Sequence, residues 1–340
     1  MNAELAEKAG RFFKKNAGLD CVLIVNTESK DPNFDYFSGL KGLFEHEVLV
    51  VKRNSVLLLA SSLEYANAVS QGKVQVKLRK RNSNILMKEL KGRSVGFNSA
   101  FMPVDLYKAV KKKYKPARMV SVAKNLEEAR AVKTTRELDS IRKAVEITKK
   151  ALREIPSFFR EGVTEVGLAE RFDSLLEKFG SEDLAFKTIV SFGKNSALPH
   201  HEPDSTKLRR GDLILIDAGA KFDGYCSDLT RTFAFKARGD KIEKMFRAVS
   251  DTRIEVLKKL KPGASVKEIA GIYNQTLKKN SFKPVHAFGH SLGVEVHESV
   301  GEKIRRGMVL AVEPGVYLTG FGGVRLEDDF FIGEGGAELL

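Results

Sequence analysis

Shifted by 96 positions, the second half of this chain falls on itself. Phe186-Lys187 meets Phe282-Lys283, Phe192-Gly193 meets Phe288-Gly289, and His201-Glu202 meets His297-Glu298. Arg209-Arg210-Gly211 meets Arg305-Arg306-Gly307, and Asp217 falls on Glu313. Upstream the offset grows to 101, where GVTEVGLA from Gly162 matches GASVKEIA from Gly263, each opening a helix. Two copies are too few to stack into a solenoid, so the repeat predicts one domain with a pseudo-two-fold axis. Each half reads as helix, strand, loop, strand and hairpin.

Each hairpin carries an acid on both arms: Asp217 and Asp228 in the first, Glu313 and Glu327 in the second. The first lies in LILIDAGAKFDGYCSD (Leu213 to Asp228), where four aliphatic residues lead into Asp217. An unpaired buried carboxylate is among the costliest groups a fold can hold. Asp223-Gly224 is a two-residue turn signal. That turn sets Asp217 opposite Thr230 and makes Asp228 its diagonal neighbour on the same face. Asp223 itself is then a turn residue. The second hairpin has three extra residues in GVYLTGFGGV. A two-fold axis brings the hairpins together, and four carboxylates converge. Like charges so placed repel, and metal cations are the usual remedy. Five of the six histidines fall between His200 and His297, three of them in HAFGHSLGVEVHE. Carboxylates and imidazoles without thiolate suit manganese, cobalt, iron or zinc. Four acids are too many for one ion and suggest two, about 3.5–4 Å apart.

Residues 1–123 read as a compact α/β unit with no such cluster. CVLIVNT, EVLVVKR and SVLLLAS are short aliphatic strands, and SSLEYANAVSQ and SNILMKELKG are helices. A long helix follows in KTTRELDSIRKAVEITKKALREI, with a capping-box spacing at Thr134 and Glu137 and a stop at Pro156. The domain boundary is placed before it, giving 1–123 and 124–340. No apolar run approaches the ~20 residues that span a bilayer. The amphipathic N-terminus, MNAELAEKAGRFFKK, lacks signal-peptide features. The chain therefore reads as soluble and cytoplasmic. Cys21 and Cys226, far apart, argue against a disulfide scaffold or a cysteine zinc site. The net charge of +14 raises nucleic-acid binding. Its basic residues are dispersed, the densest runs being KLRKRN (Lys77 to Asn82) and KKKYKPAR (Lys111 to Arg118). Nucleic acid is therefore not expected as a partner.

IDAGAKFDGYCSDLTRTF, GHSLGVEVHE, AVEPGVY and GGVRLEDD, with DPNFDYFSGL near the N-terminus, resemble the pita-bread metallopeptidases. Among these the chain is similar to the Xaa-Pro aminopeptidase and prolidase branch over its whole length. The resemblance implies an α/β (α+β) architecture, a creatinase-like N-terminal domain followed by a pseudo-two-fold pita-bread domain. It implies two divalent metal ions (Mn, Co, Zn or Fe) and a bridging hydroxide that attacks a peptide bond. Asp217 would hold one metal, Asp228 and Glu327 would bridge both, and His290 and Glu313 would hold the other. Glu313 would also shuttle a proton, and His297 would contact the substrate carbonyl. A histidine of LPHHEP should act similarly. Family spacing points to His200 and the internal repeat to His201; His200 is favoured. His286 orients its neighbours, Arg325 fixes a ligand carboxylate, and His46 matches nothing and is structural. A homodimer acting on peptides is implied.

The sequence departs from the family in HESVGEKIRRG, which lacks a proline after the His-Glu pair. Gly301 stands where prolidases tend to place an arginine for the dipeptide carboxylate, and Ser291 replaces a small residue. These departures favour removal of the residue preceding proline from longer peptides, with Xaa-Pro dipeptidase as the alternative. A catalytically silent peptide or nucleic-acid binder is the second alternative, which the complete ligand set disfavours. Methionine aminopeptidase is disfavoured by the additional N-terminal domain.

Overall fold

The computed structural model describes residues 3–80 and 83–340. Arg81 and Asn82, which end the first basic run, lie outside the described residues. Two compact units are present, Met1–Arg130 and Ala131–Leu340. The sequence boundary near 124 falls seven residues earlier than this division (131 − 124). The difference arises because Leu126 and Ala129, on the helix Ala123–Ala131, join the first unit's core.

The first unit contains a six-stranded sheet, ordered β4-β3-β2-β1-β5-β6. Its strands are β1 (Cys21–Val25), β2 (Val48–Lys52), β3 (Ser55–Ala60), β4 (Gln75–Leu78), β5 (Ser94–Phe97) and β6 (Arg118–Ser121). β2 runs antiparallel to both neighbours and the other pairings are parallel. β1 to β3 are covered on both faces, so they read as continuous aliphatic runs. β4, β5 and β6 escape the sequence reading. β4 and β6 are half-exposed edges with polar residues, and β5 is a four-residue strand containing a glycine.

The second unit starts with the helix Thr135–Glu154, whose capping box is formed as predicted. The Glu137 N–H donates to Thr134 Oγ1 at 3.2 Å, and the Thr134 N–H to Glu137 Oε2 at 2.7 Å. Pro156 sits in a short 3₁₀ turn, Ile155–Phe158, that closes the helix. The repeat is visible as recurring contacts. Thr164 and Ser265 cap the helices Glu165–Lys178 and Val266–Lys279. The Gly162 N–H donates to the Leu208 carbonyl, and the Gly263 N–H to the Ile304 carbonyl.

The strands follow the same plan in both halves. In the first half Leu213–Ala218 lies between Ile189–Phe192 and Leu229–Ala234, all antiparallel. In the second, Val309–Val312 lies between Gly289–Ser291 and Asp328–Ile332. The helices Thr135–Glu154 and Glu165–Lys178 cover the first set of strands. Asp240–Leu257 and Val266–Lys279 cover the second. Ile214, Ile216 and Ala218 face the first pair of helices, so strand alternation turns Asp217 to the opposite face.

The first hairpin keeps its predicted register, with Asp217 opposite Thr230 and Phe222 opposite Tyr225 across the Asp223-Gly224 turn. Both turn residues have positive φ, 49° and 82°. At Gly219 a Cβ would lie 1.9 Å from the Ser227 carbonyl oxygen. The two arms cross there without room for any side chain, just between Asp217 and Asp228. Gly219→Ala should therefore cost about 3 kcal/mol of stability, the scale of a severe overpacking. Gly224→Ala, strained in φ but in open space, should cost about 1 kcal/mol. Denaturant titration of the two variants checks both the size and the order of these losses.

Candidate metal centre

The second hairpin keeps one register on either side of its acids, pairing Val312 with Asp328 and Gly315 with Arg325. Glu313 and Glu327 therefore leave neighbouring strands at the same level. His290 enters from the adjoining strand Gly289–Ser291, opposite Ala311. His290 Nε2 lies 3.4 Å from Asp228 Oδ2, 3.9 Å from Glu313 Oε1 and 4.0 Å from Glu327 Oε1. Asp228, His290 and Glu327 each offer a ligand atom, all within 4.8 Å of one another. Asp217 reaches this group through Arg325, whose guanidinium donates to its Oδ2.

Burial makes charge expensive here. Desolvation, then Glu327 and Asp217, push the Asp228 carboxyl well above the usual range. Desolvation, then Asp217 and Glu313, do the same to Glu327. Glu313 is pushed up to about 7, chiefly by burial, with Arg325 opposing the rise. The imidazoles move the other way. His290 falls to about 4 through burial and the neighbouring His297. Its Nδ1 donates to the Ser291 carbonyl at 3.2 Å, which leaves the Nε2 lone pair facing the carboxylates. Arg325 compensates Asp217, but toward His290 the acids face a neutral imidazole and no cation among the described residues.

The outward sides of these groups are already engaged. Thr230 Oγ1 donates to Glu327 Oε2 at 2.7 Å and accepts from Arg325 Nε at 2.9 Å. Arg325 also donates to Tyr317 Oη at 2.9 Å and to the Pro199 carbonyl at 3.3 Å. The Asp228 N–H donates to Asp329 Oδ2 at 2.9 Å. The buried oxygens Asp217 Oδ1 and Asp228 Oδ1 have no hydrogen-bond partner among the described residues. Two orphaned buried oxygens, a free imidazole nitrogen and no thiolate match a hard or borderline divalent cation. Cys226 is no competitor, since burial pushes its thiol up to about 12.

The remaining histidines separate by their partners. The His297 ring lies 4.1 Å from that of His290, centroid to centroid. Burial first, then the charge of His200, lowers the His297 pKa. His200 is exposed and close enough to act on His286 as well. His201 points elsewhere, its Nε2 2.7 Å from Glu165 Oε2. His286 uses both ring nitrogens, on the Ala287 carbonyl at 2.8 Å and Tyr317 Oη at 3.0 Å, so it orients Tyr317. Tyr317, Thr230 and Asp329 were not singled out as supports in the sequence. All three lie inside or beside the motifs AVEPGVY, SDLTRT and LEDD, but their roles depend on contacts made across the two hairpins.

Comparison with known proteins gives the chain's family. A model of metallopeptidase family M24 matches residues 139–334, and one of the creatinase/prolidase N-terminal domain matches residues 11–132. The chain is 32% identical over 346 residues to a Xaa-Pro dipeptidase of Pyrococcus horikoshii, covering 99% of this chain and 96% of that protein. It superposes on the crystal structure of the prolidase from Pyrococcus horikoshii with a TM-score of 0.88 at 32% identity, covering 99% of this chain and 97% of that one. For the X-Pro aminopeptidase from Thermotoga maritima the TM-score is 0.86 at 28% identity, with 96% of each chain covered. With the family model spanning more than half of its length, the chain belongs to metallopeptidase family M24.

Proposed function

We propose that this peptidase hydrolyses Xaa-Pro dipeptides using divalent cations held by Asp217, Asp228, His290, Glu313 and Glu327. The observation that carries the reading is the convergence of carboxylates with His290 in a chain that follows a named Xaa-Pro dipeptidase over 99% of its length. In sequence, Gly301 favours longer peptides. The full-length likeness to a dipeptidase supports the opposite order. Gly301 has φ +73°, a conformation that disfavours the arginine expected there. A dipeptide carboxylate must then be held by another group.

Two cations would be held by Asp217, Asp228, His290, Glu313 and Glu327, a donor set of carboxylates and imidazole for which Mn, Co, Zn and Fe are the candidates. Such cations, when bound, polarise the scissile carbonyl and lower the pKa of water at the site. Arg325 and Thr230 fix the carboxylates of Asp217 and Glu327 so that one oxygen of each faces inward. Glu313, the most exposed of the four acids with 19% of its side chain accessible, is placed to take a proton and pass it on. That proton is needed because the nitrogen of any cleaved peptide bond must be protonated to leave as an amine, and proline's nitrogen leaves as a secondary amine. His297 and His200 are assigned to the substrate carbonyl, whereas Glu165 occupies His201. Among the described residues no helix is long and apolar enough to cross a membrane. A cytoplasmic homodimer completes the proposal.

Chelation should abolish hydrolysis, and Mn or Co should restore it, with two ions per chain by elemental analysis. Asp228→Ala should lower that count. At saturating cation, Glu313→Gln should lower kcat at least about 100-fold, the scale for losing an acid–base group; steady-state kinetics reads it. Charge-assisted recognition of the dipeptide carboxylate is worth about 10- to 150-fold. The kcat/KM of Ala-Pro should therefore exceed that of Ala-Pro-Ala at least about tenfold. The reverse preference would assign the chain to aminopeptidase action.

A further inference from the structure

One buried carboxylate outside the metal centre gathers four donors from a single loop. Glu165, the first residue of the helix Glu165–Lys178, is fully buried. Its Oε1 accepts from the Phe192 N–H at 2.7 Å and from Asn195 Nδ2 at 3.0 Å. Its Oε2 accepts from the Asp204 N–H at 3.1 Å and from His201 Nε2 at 2.7 Å. These contacts fasten residues 192 to 204 on both sides of His200. From the other face Arg325 holds the Pro199 carbonyl.

The helix start does not require this acid. In the second half the matching helix has Val266 at the corresponding position, 101 residues on, and begins with Ser265 as its cap. Thr164 caps the first helix independently, accepting from the Gly167 N–H at 3.1 Å. The carboxylate serves the loop. A buried charge with four donors fixes its partners firmly, because moving any one of them strands a buried polar group.

We infer that Glu165 is a positioning residue for His200: by clamping His201 and the loop on both sides, it sets the direction in which His200 faces the substrate. The inference rests on the reading of His200 as a substrate-facing group. Misplacing such a group by about 1 Å costs up to about 100-fold in rate.

A double-mutant cycle in the cation-loaded, full-length protein tests it. Glu165→Gln, His200→Ala and the double variant are compared for kcat, KM, bound cation and melting temperature. Expected is a loss in kcat of about 10- to 100-fold for Glu165→Gln with KM and bound cation unchanged. In the His200→Ala background the same substitution should cost nothing further. Equal losses in both backgrounds, or an unchanged kcat with only a lower melting temperature, overturn the inference while leaving the role of His200 intact. Full activity of His200→Ala overturns that role and the inference with it. Should Glu165→Gln fail to fold, His201→Leu, which removes one donor from the clamp, is read in the same cycle with the same expected and opposing outcomes.

Discussion

The guanidinium of Arg325 is the interaction on which the centre depends. It is 3% exposed and lies on the second hairpin. It reaches Asp217 and Thr230 on the first hairpin, Tyr317 on its own, and the Pro199 carbonyl before His200. A cation buried this deeply is tolerable only when its donors are used, and an acid such as Asp217 only when it is compensated. Each solves the other's problem. Because the two come from different halves of the repeat, their pairing also fixes how the hairpins meet. The remaining carboxylates are thereby held close together although burial and mutual repulsion oppose it.

The two halves share a backbone plan and differ in what their matching side chains do. His201 and His297 occupy equivalent places. The first is engaged by Glu165, while the second stands beside His290. Glu202 and Glu298 follow them. Glu202 pairs with Lys187 at the surface, whereas Glu298 pairs with Lys133 at 2.7 Å with both side chains almost fully buried. An exposed pair of the first kind contributes little. Breaking the buried pair would leave a charge without solvent, so Lys133 ties down the segment after His297 as Glu165 ties down the loop around His201. Opposite charges do this work in the two halves, acid from Glu165 in one and cation from Lys133 in the other. A symmetric scaffold thus carries two histidine loops with different partners.

The overall positive charge has no counterpart at the centre. Four carboxylates converge there, while lysines and arginines are spread over the surface, many in pairs such as Lys178 with Glu154 and Lys258 with Glu255. Net charge describes the surface in this protein, and the local sign at the site is the reverse.

Much of this was legible in the sequence because it is encoded locally or by repetition. The capping box at Thr134, the Asp223-Gly224 turn and the strand alternation each act over a few residues, and the turn by itself places Asp217 opposite Thr230. The offset of 96 carried Asp217 onto Glu313, and the three extra residues of the second turn displace Glu327 from the place matching Asp228. The quiet strands β4 to β6 were not legible, since the edges β4 and β6 carry polar residues and the short inner strand β5 contains a glycine. Nor was the division at Arg130, which depends on which core Leu126 enters. The adjacent pair His200-His201 marks the limit most sharply. Their chemistry is identical and their positions differ by one, so sequence leaves both in play. Only packing, which buries Glu165 36 residues upstream against His201 and leaves His200 exposed, gives them different surroundings. Sequence determined which residues could meet, through periods and turns. Tertiary structure decided which partners they took, because a buried charge must be satisfied by whatever donor the fold brings within reach.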